Sequence, residues 1–117
     1  MKAIEKELDR LVQMLHLGQR CHICGYHNAE AVHHIIGRAN QLLRYDVVNL
    51  LPVCNSCHRK IHDNGLDVSD YIDSIRWSYL QRVKNESYRD ILTFELQMSE
   101  DEYLRWCKKT LKTFIQS

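Results

Sequence analysis

The chain has 117 residues, enough for one domain and short for two, and a core of that size gains from a covalent or metal staple. Lysine plus arginine number 16 against 15 for aspartate plus glutamate, so the formal charge of +1 excludes a binding role that rests on bulk basicity, while leaving nucleic-acid and small-molecule partners open. No apolar run is long enough to span a bilayer and the opening MKAIEKELDR is too charged for a secretory signal, so the expectation is an intracellular protein with no membrane partner.

Residues 2–17 set Ile4, Leu8, Leu11, Val12 and Leu15 on one face and Lys2, Glu5, Lys6, Asp9 and Arg10 mostly on the other, the pattern of an amphipathic helix closed by Gly18. Next comes Cys21-x-x-Cys24-Gly25, matched downstream by Cys54-x-x-Cys57. A two-residue spacer lets both sulfurs of a pair face one point, so Cys21, Cys24, Cys54 and Cys57 are expected to hold a structural Zn²⁺. In a reducing compartment such spacing favours ligands over disulfides, and the fifth cysteine, Cys107, reads as a small buried apolar residue. His22 and His27 read as exposed bystanders.

Glu30 to Ile36 predicts a short strand ended by Gly37, in which period-two alternation sends His33 and His34 to opposite faces. Gly37 to Asp46 reads as loop. Val47 to Val53 predicts a second strand returning antiparallel, and Asn55 or Ser56 is expected to cap a helix that runs through His62 and stops at Asn64-Gly65. On that helix His58 and His62 stand one turn apart on one face and can share an ion, with His33 as a third ligand from the neighbouring strand. Three protein nitrogens leave coordination positions open, as catalytic sites require. His34 is left to take a proton from water, a task its ordinary pKa of about 6.5 suits.

Cys-x-x-Cys-Gly, His-His-Ile, Asn-Leu and Cys-x-x-Cys-His-x-x-x-His, in that order from Cys21 to His62, resemble the HNH endonuclease family in its zinc-knuckle form. The resemblance implies a ββα-metal fold and a metal-dependent endonuclease hydrolysing DNA phosphodiester bonds to leave a 5′ phosphate. It implies His34 as general base, Asn49 as the residue fixing the loop between the strands and His58 as the final histidine of the motif. His33 stands where many members carry aspartate and some histidine, which keeps a ligand and softens the site. The cofactors implied are the structural Zn²⁺ and a catalytic divalent ion (Mg²⁺, Mn²⁺, Ni²⁺ or Zn²⁺) held by His33, His58 and His62. Arg38, Arg44, Arg59 and Lys60 lie close in sequence to these residues and are candidates to hold flanking phosphates. The expected setting is the cytoplasm of a bacterial or phage-infected cell. Two rival readings stay open: a non-catalytic zinc module binding nucleic acid, and a structure-selective nuclease of phage recombination, to which Leu43-Arg-Tyr-Asp-x-x-Asn49 is weakly similar.

Beyond Gly65 the expectation is helical. Asp67 or Ser69 caps a helix bearing Tyr71, Ile72, Ile75, Tyr79 and Val83 at core spacing; a second helix holds Tyr88, Ile91, Leu92 and Leu96; a third opens on the capping box Ser99-Glu-Asp-Glu102 and carries Tyr103, Leu104, Cys107, Leu111, Phe114 and Ile115. Trp77 and Trp106 read as core or half-buried. The expected architecture is a helix-rich α+β fold, residues 1–117 forming one nuclease domain with its core motif at 21–62, an N-terminal helix at 2–17 and a C-terminal helical segment at 67–115, through which self-association into a homodimer stays open.

Overall fold

The computed structural model describes residues 1–116 and orders them as α1 (Ala3–Met14), β1 (Ala31–His34), β2 (Leu50–Val53), α2 (Asn55–Asp63), α3 (Ser74–Lys84), α4 (Tyr88–Asp90) and α5 (Glu100–Gln116). The two strands form one antiparallel ribbon with His33 opposite Leu51 and His34 opposite Leu50, and α2 follows directly, so residues 31–63 form a ββα unit inside a helix-rich α+β fold. No helix among the described residues is long and apolar enough to cross a membrane.

Local chemistry accounts for where the elements start and stop. Glu5 reaches back to the Lys2 N–H at 3.0 Å to open α1, which ends at Met14 with Leu15 as its cap rather than running to residue 17; a turn then carries the chain to Gly18, left-handed at φ +72°. The second strand is shorter than the expected 47–53 because Asp46 accepts the Val48 N–H at 3.0 Å and coils Val47–Asn49 into a single 3₁₀ turn. Pro52 has no N–H to give and turns its carbonyl to the first knuckle, accepting from His22 N at 2.9 Å. The cap of α2 is Cys54, whose sulfur accepts the Cys57 N–H at 3.5 Å, in place of the expected Asn55 or Ser56.

The helix expected from Asp67 to Val83 is two pieces. Asp67 caps a 3₁₀ turn at Val68–Tyr71, and Asp73 restarts the chain as α3 by accepting the Arg76 N–H at 2.7 Å. The break shifts the buried face to Leu80 and Val83, leaving Ile75 82 % exposed and Tyr71 exposed. Past Asp90 the chain widens into a π-helical stretch, Ile91–Leu96, which buries Ile91 and Leu92 and leaves Leu96 at the surface. Ser99 and Glu102 exchange both bonds of a capping box, at 3.2 and 3.1 Å, and open α5. Phe114, expected in the core, is half exposed; Trp106 is exposed and stacks on Tyr103, and Trp77 is half-buried.

Two apolar clusters result. The larger joins Leu8, Leu11, Val12 and Leu15 of α1 to Tyr103, Leu104, Cys107 and Leu111 of α5, with Val32, Leu42, Leu43, Tyr45 and Leu50 of the central segment. The smaller gathers Cys21, Cys54 and Cys57 with Leu51, Val53 and Val68. Strand β2 is buried on both faces because it separates the two, Leu50 turned to the first and Leu51 and Val53 to the second.

Candidate active site

The four sulfurs of Cys21, Cys24, Cys54 and Cys57 lie within 4.8 Å of one another. Zinc–sulfur bonds of about 2.3 Å place tetrahedral sulfurs about 3.8 Å apart, so the cluster fits a closed four-thiolate ion with small adjustment. The knuckles are built for it: Gly25, left-handed at φ +71°, closes the first turn on the Cys21 carbonyl, and main-chain N–H groups of Ile23 and Cys57 point at the sulfurs of Cys21 and Cys54. Burial opposes ionisation of Cys21, yet main-chain donors from Cys54, Cys24 and Ile23 outweigh it and bring the thiol down to about 6. Cys57 goes the other way, pushed up to about 12 by burial and by the crowd of neighbouring sulfurs. Four thiolates could share so small and buried a place only around a cation, and the donor set is one that suits zinc.

The second cluster is nitrogen. His33 arrives from β1, His58 and His62 from one face of α2, and one ring nitrogen of each falls within the same 4.8 Å span. The His58 and His62 Nε2 atoms are 3.0 Å apart, and the His33 ring meets both edge-on with centroids 5.4 and 5.3 Å away. Burial first, then the neighbouring imidazoles, pulls His33 down to about 4; burial and His62 also lower His58. Both rings are therefore neutral near pH 7 and present lone pairs rather than protons, which is the state a metal ligand needs. The His33 side chain is 8 % exposed and His62 is open to solvent, so the cluster has a dry side and a wet side.

These rings line one end of a cleft of about 370 Å³ that runs along the unpaired edge of β1 and is completed by His34, Gly37, Arg38 and Gln13. His34, one residue on from His33, shares the other face of the strand with Val32. Its Nε2 lies 3.1 Å from the Arg44 carbonyl. A carbonyl only accepts, so Nε2 carries the proton and Nδ1 is left with the free lone pair. Burial lowers the His34 pKa, with Arg38 and Arg44 adding to the effect and the Arg44 carbonyl and Asp9 resisting it, so the ring is neutral near pH 7.

Asn49 is fully buried and spends its amide on the loop: Oδ1 accepts from Ile36 N at 2.7 Å, and Nδ2 donates to the carbonyls of Ile36 at 2.9 Å and Leu43 at 3.0 Å. The four basic candidates part company. Arg38 sits on the cleft rim, more than half exposed, 3.7 Å from Asp9. Arg59 borders the outer, exposed side of His58 and His62 together with Asn55 and Asp63. Arg44 instead forms a two-pronged ion pair with Asp9, Nε to Oδ1 at 3.1 Å and Nη2 to Oδ2 at 2.8 Å. Lys60 follows His58 by two positions on α2, which at 100° per residue turns it to the side opposite the histidine pair. Proximity in sequence named all four; direction separates them. Asp9 and Gln13 of α1 were not anticipated at the site, and nothing local marks them, since both read as ordinary members of a polar helix face.

Residues 21–64, under half of the chain, match the family model described as HNH endonuclease. No curated protein and no solved structure gives a match.

Proposed function

We propose, with the match of residues 21–64 to the HNH endonuclease model as premise, that this protein is a metal-dependent endonuclease that hydrolyses DNA phosphodiester bonds. The observation that carries the reading is the meeting of three imidazoles, His33, His58 and His62, with a fourth, His34, whose proton is committed to the Arg44 carbonyl, in one cleft. His33, His58 and His62 would hold a divalent ion, which would supply positive charge to the phosphate under attack and to the oxygen that leaves.

The chain's own groups do the rest. His34 accepts through Nδ1 a proton from the water that attacks phosphorus, the bond from phosphorus to the 3′ oxygen breaks, and the product keeps a 5′ phosphate. The Arg44 carbonyl stabilises the imidazolium so formed, because it goes on accepting the Nε2 proton. Asn49 holds the turn that presents that carbonyl, and Arg38 and Arg59 are the cations placed to meet flanking phosphates. The four cysteines hold a structural Zn²⁺ that keeps β1, β2 and α2 in register.

A plasmid-nicking assay with Mg²⁺, Mn²⁺, Ni²⁺ or Zn²⁺ tests the reading. The wild type is expected to nick with at least one ion, and His34→Ala to lose turnover by roughly 10²-fold to 10⁴-fold with fold and DNA affinity kept. His58→Ala is expected to be rescued in part by excess Mn²⁺ or Ni²⁺, whereas added metal leaves His34→Ala unchanged. A wild type that binds DNA and cuts under none of these ions returns the protein to the class of zinc-stabilised binding modules.

A further inference from the structure

His34 is steered by a main-chain carbonyl, and a carbonyl on a loop between two strands is only as steady as the loop. One neighbour is secured from within the HNH segment, where Asn49 Nδ2 donates to the Leu43 carbonyl at 3.0 Å. Arg44 itself is secured from outside it. The Arg44 guanidinium meets the Asp9 carboxylate of α1 through two parallel bonds of 3.1 and 2.8 Å and rests 5.5 Å from the centroid of the Tyr45 ring. Both partners are mostly shielded from water, with side chains 22 % and 25 % exposed. A forked guanidinium–carboxylate pair fixes a plane as well as a distance, so it restrains the residue that carries it far more than a point contact does.

We infer that Asp9 is a positioning residue for His34, acting through Arg44: by gripping the Arg44 side chain it holds the Arg44 carbonyl on Nε2, and with it the tautomer and the aim of Nδ1. The inference rests on the reading of His34 as the proton acceptor. It gives Arg44 a different task from phosphate binding, because the carboxylate of Asp9 already offsets its charge and occupies its fork. It also extends the working site beyond residues 21–64 to the N-terminal helix. Arg38, held more loosely at 3.7 Å from Asp9 and more exposed, remains with Arg59 to meet a phosphate.

The test uses full-length, zinc-loaded protein with Asp9→Ala, Asp9→Asn, Arg44→Ala and the Asp9→Ala/Arg44→Ala pair. Per folded molecule, Asp9→Ala is expected to lower kcat roughly tenfold or more with KM nearly unchanged, since a small misplacement of a reacting group costs that much. Asp9→Asn keeps one acceptor oxygen and should fall between wild type and Asp9→Ala. Because both single variants break the same pair, the double variant should be no worse than the poorer single one. An independent readout needs no turnover: in ¹⁵N spectra of histidine-labelled protein, the ring signal absent from His34→Ala should show the Nε2–H tautomer, and in Asp9→Ala it should shift toward a mixture of tautomers with faster exchange of the Nε2 proton. That signal can be found even if no DNA is ever cut, so failure of the nuclease reading and failure of this inference are told apart. Asp9→Ala that keeps kcat and the His34 signal, or that merely melts earlier with kcat per folded molecule intact, overturns the positioning role. Tighter DNA binding by Asp9→Ala at unchanged kcat also overturns it, by showing that Asp9 only offsets the charge of Arg44 and Arg38.

Discussion

Both amide protons of Asn49 and its carbonyl oxygen are spent on Ile36 and Leu43, with no solvent to replace them. Asn49→Ala is expected to cost about 3 kcal/mol, because it leaves the Ile36 N–H and carbonyl without their partner and takes from the Leu43 carbonyl the stronger of its two donors, the other being the Asp46 N–H at 3.3 Å. Asn49→Asp should be at least as damaging at neutral pH, since a carboxylate sets negative oxygens against two carbonyls; chemical denaturation of the three proteins gives the order. The single residue is also the scale at which the sequence speaks most clearly about chemistry. His58 and His62 are recognisable as a pair from four-residue spacing, and His33 and His34 as opposed from strand alternation, because both patterns are properties of a local backbone. Arg44 and Lys60 show where local patterns stop. A side chain's neighbour in the sequence does not say where it points, and the helical angle of Lys60 and the Asp9 partner of Arg44, 35 residues away, decide both cases.

The elements that surround the site are ordered by caps and glycines that the sequence displays, such as the Ser99–Glu102 box and Gly25, and their order is therefore legible. The split between Val68–Tyr71 and α3 is not, because two acceptable caps, Asp67 and Asp73, compete six residues apart and the winner depends on what α3 packs against. What it packs against is the turn before β2: Arg76 donates to the carbonyls of Val48 at 2.7 Å and Leu50 at 3.0 Å, and the Tyr79 hydroxyl to Asp46 at 3.1 Å. Burial raises the Asp46 pKa, with the Val48 N–H, Tyr79 and Arg76 opposing but not cancelling it. A carboxyl whose folded pKa is raised binds more protons in the native state than in the unfolded one. Its contribution to stability is thus full below the ordinary value of 3.8 and is lost as pH rises through the raised folded value. Asp46→Asn, which keeps the shape and cannot ionise, is expected to gain on the wild type in ΔG of unfolding as pH climbs from below 3.8 to neutral. Denaturation midpoints at a series of pH values check it, and a difference that stays flat with pH contradicts the assignment. Arg76→Leu should cost about 1–3 kcal/mol at any pH in this range, by stranding two carbonyls.

At the scale of the molecule, the loop that presents the Arg44 carbonyl is held from three flanking helices at once. Asp9 of α1 takes the Arg44 side chain, Tyr79 of α3 donates to Asp46, and the Tyr103 hydroxyl of α5 donates to the Leu42 carbonyl across 61 residues of sequence. None of these is visible in a local pattern, which is why the sequence beyond Gly65 reads as helices and core spacing and no more. The same view separates two supports of different kind. The cluster joining α1 to α5 is apolar apart from the hydroxyls of Tyr45 and Tyr103 and holds no group of candidate metal ligands, whereas the cluster around Leu51, Val53 and Val68 is walled by three of the four candidate zinc cysteines. A thiolate-bound ion contributes folding energy directly, so its removal should be felt on one side of the hairpin and not evenly. With zinc chelated, backbone amide exchange is expected to accelerate over residues 20–30 and 50–68 while the facing turns of α1 and α5 stay protected, and Cys54→Ser should reproduce the pattern without chelator. Loss of protection across the whole chain in one step would mean that the two clusters unfold as one; unchanged exchange, or purified protein free of zinc by elemental analysis, would mean that the four sulfurs hold no structural ion.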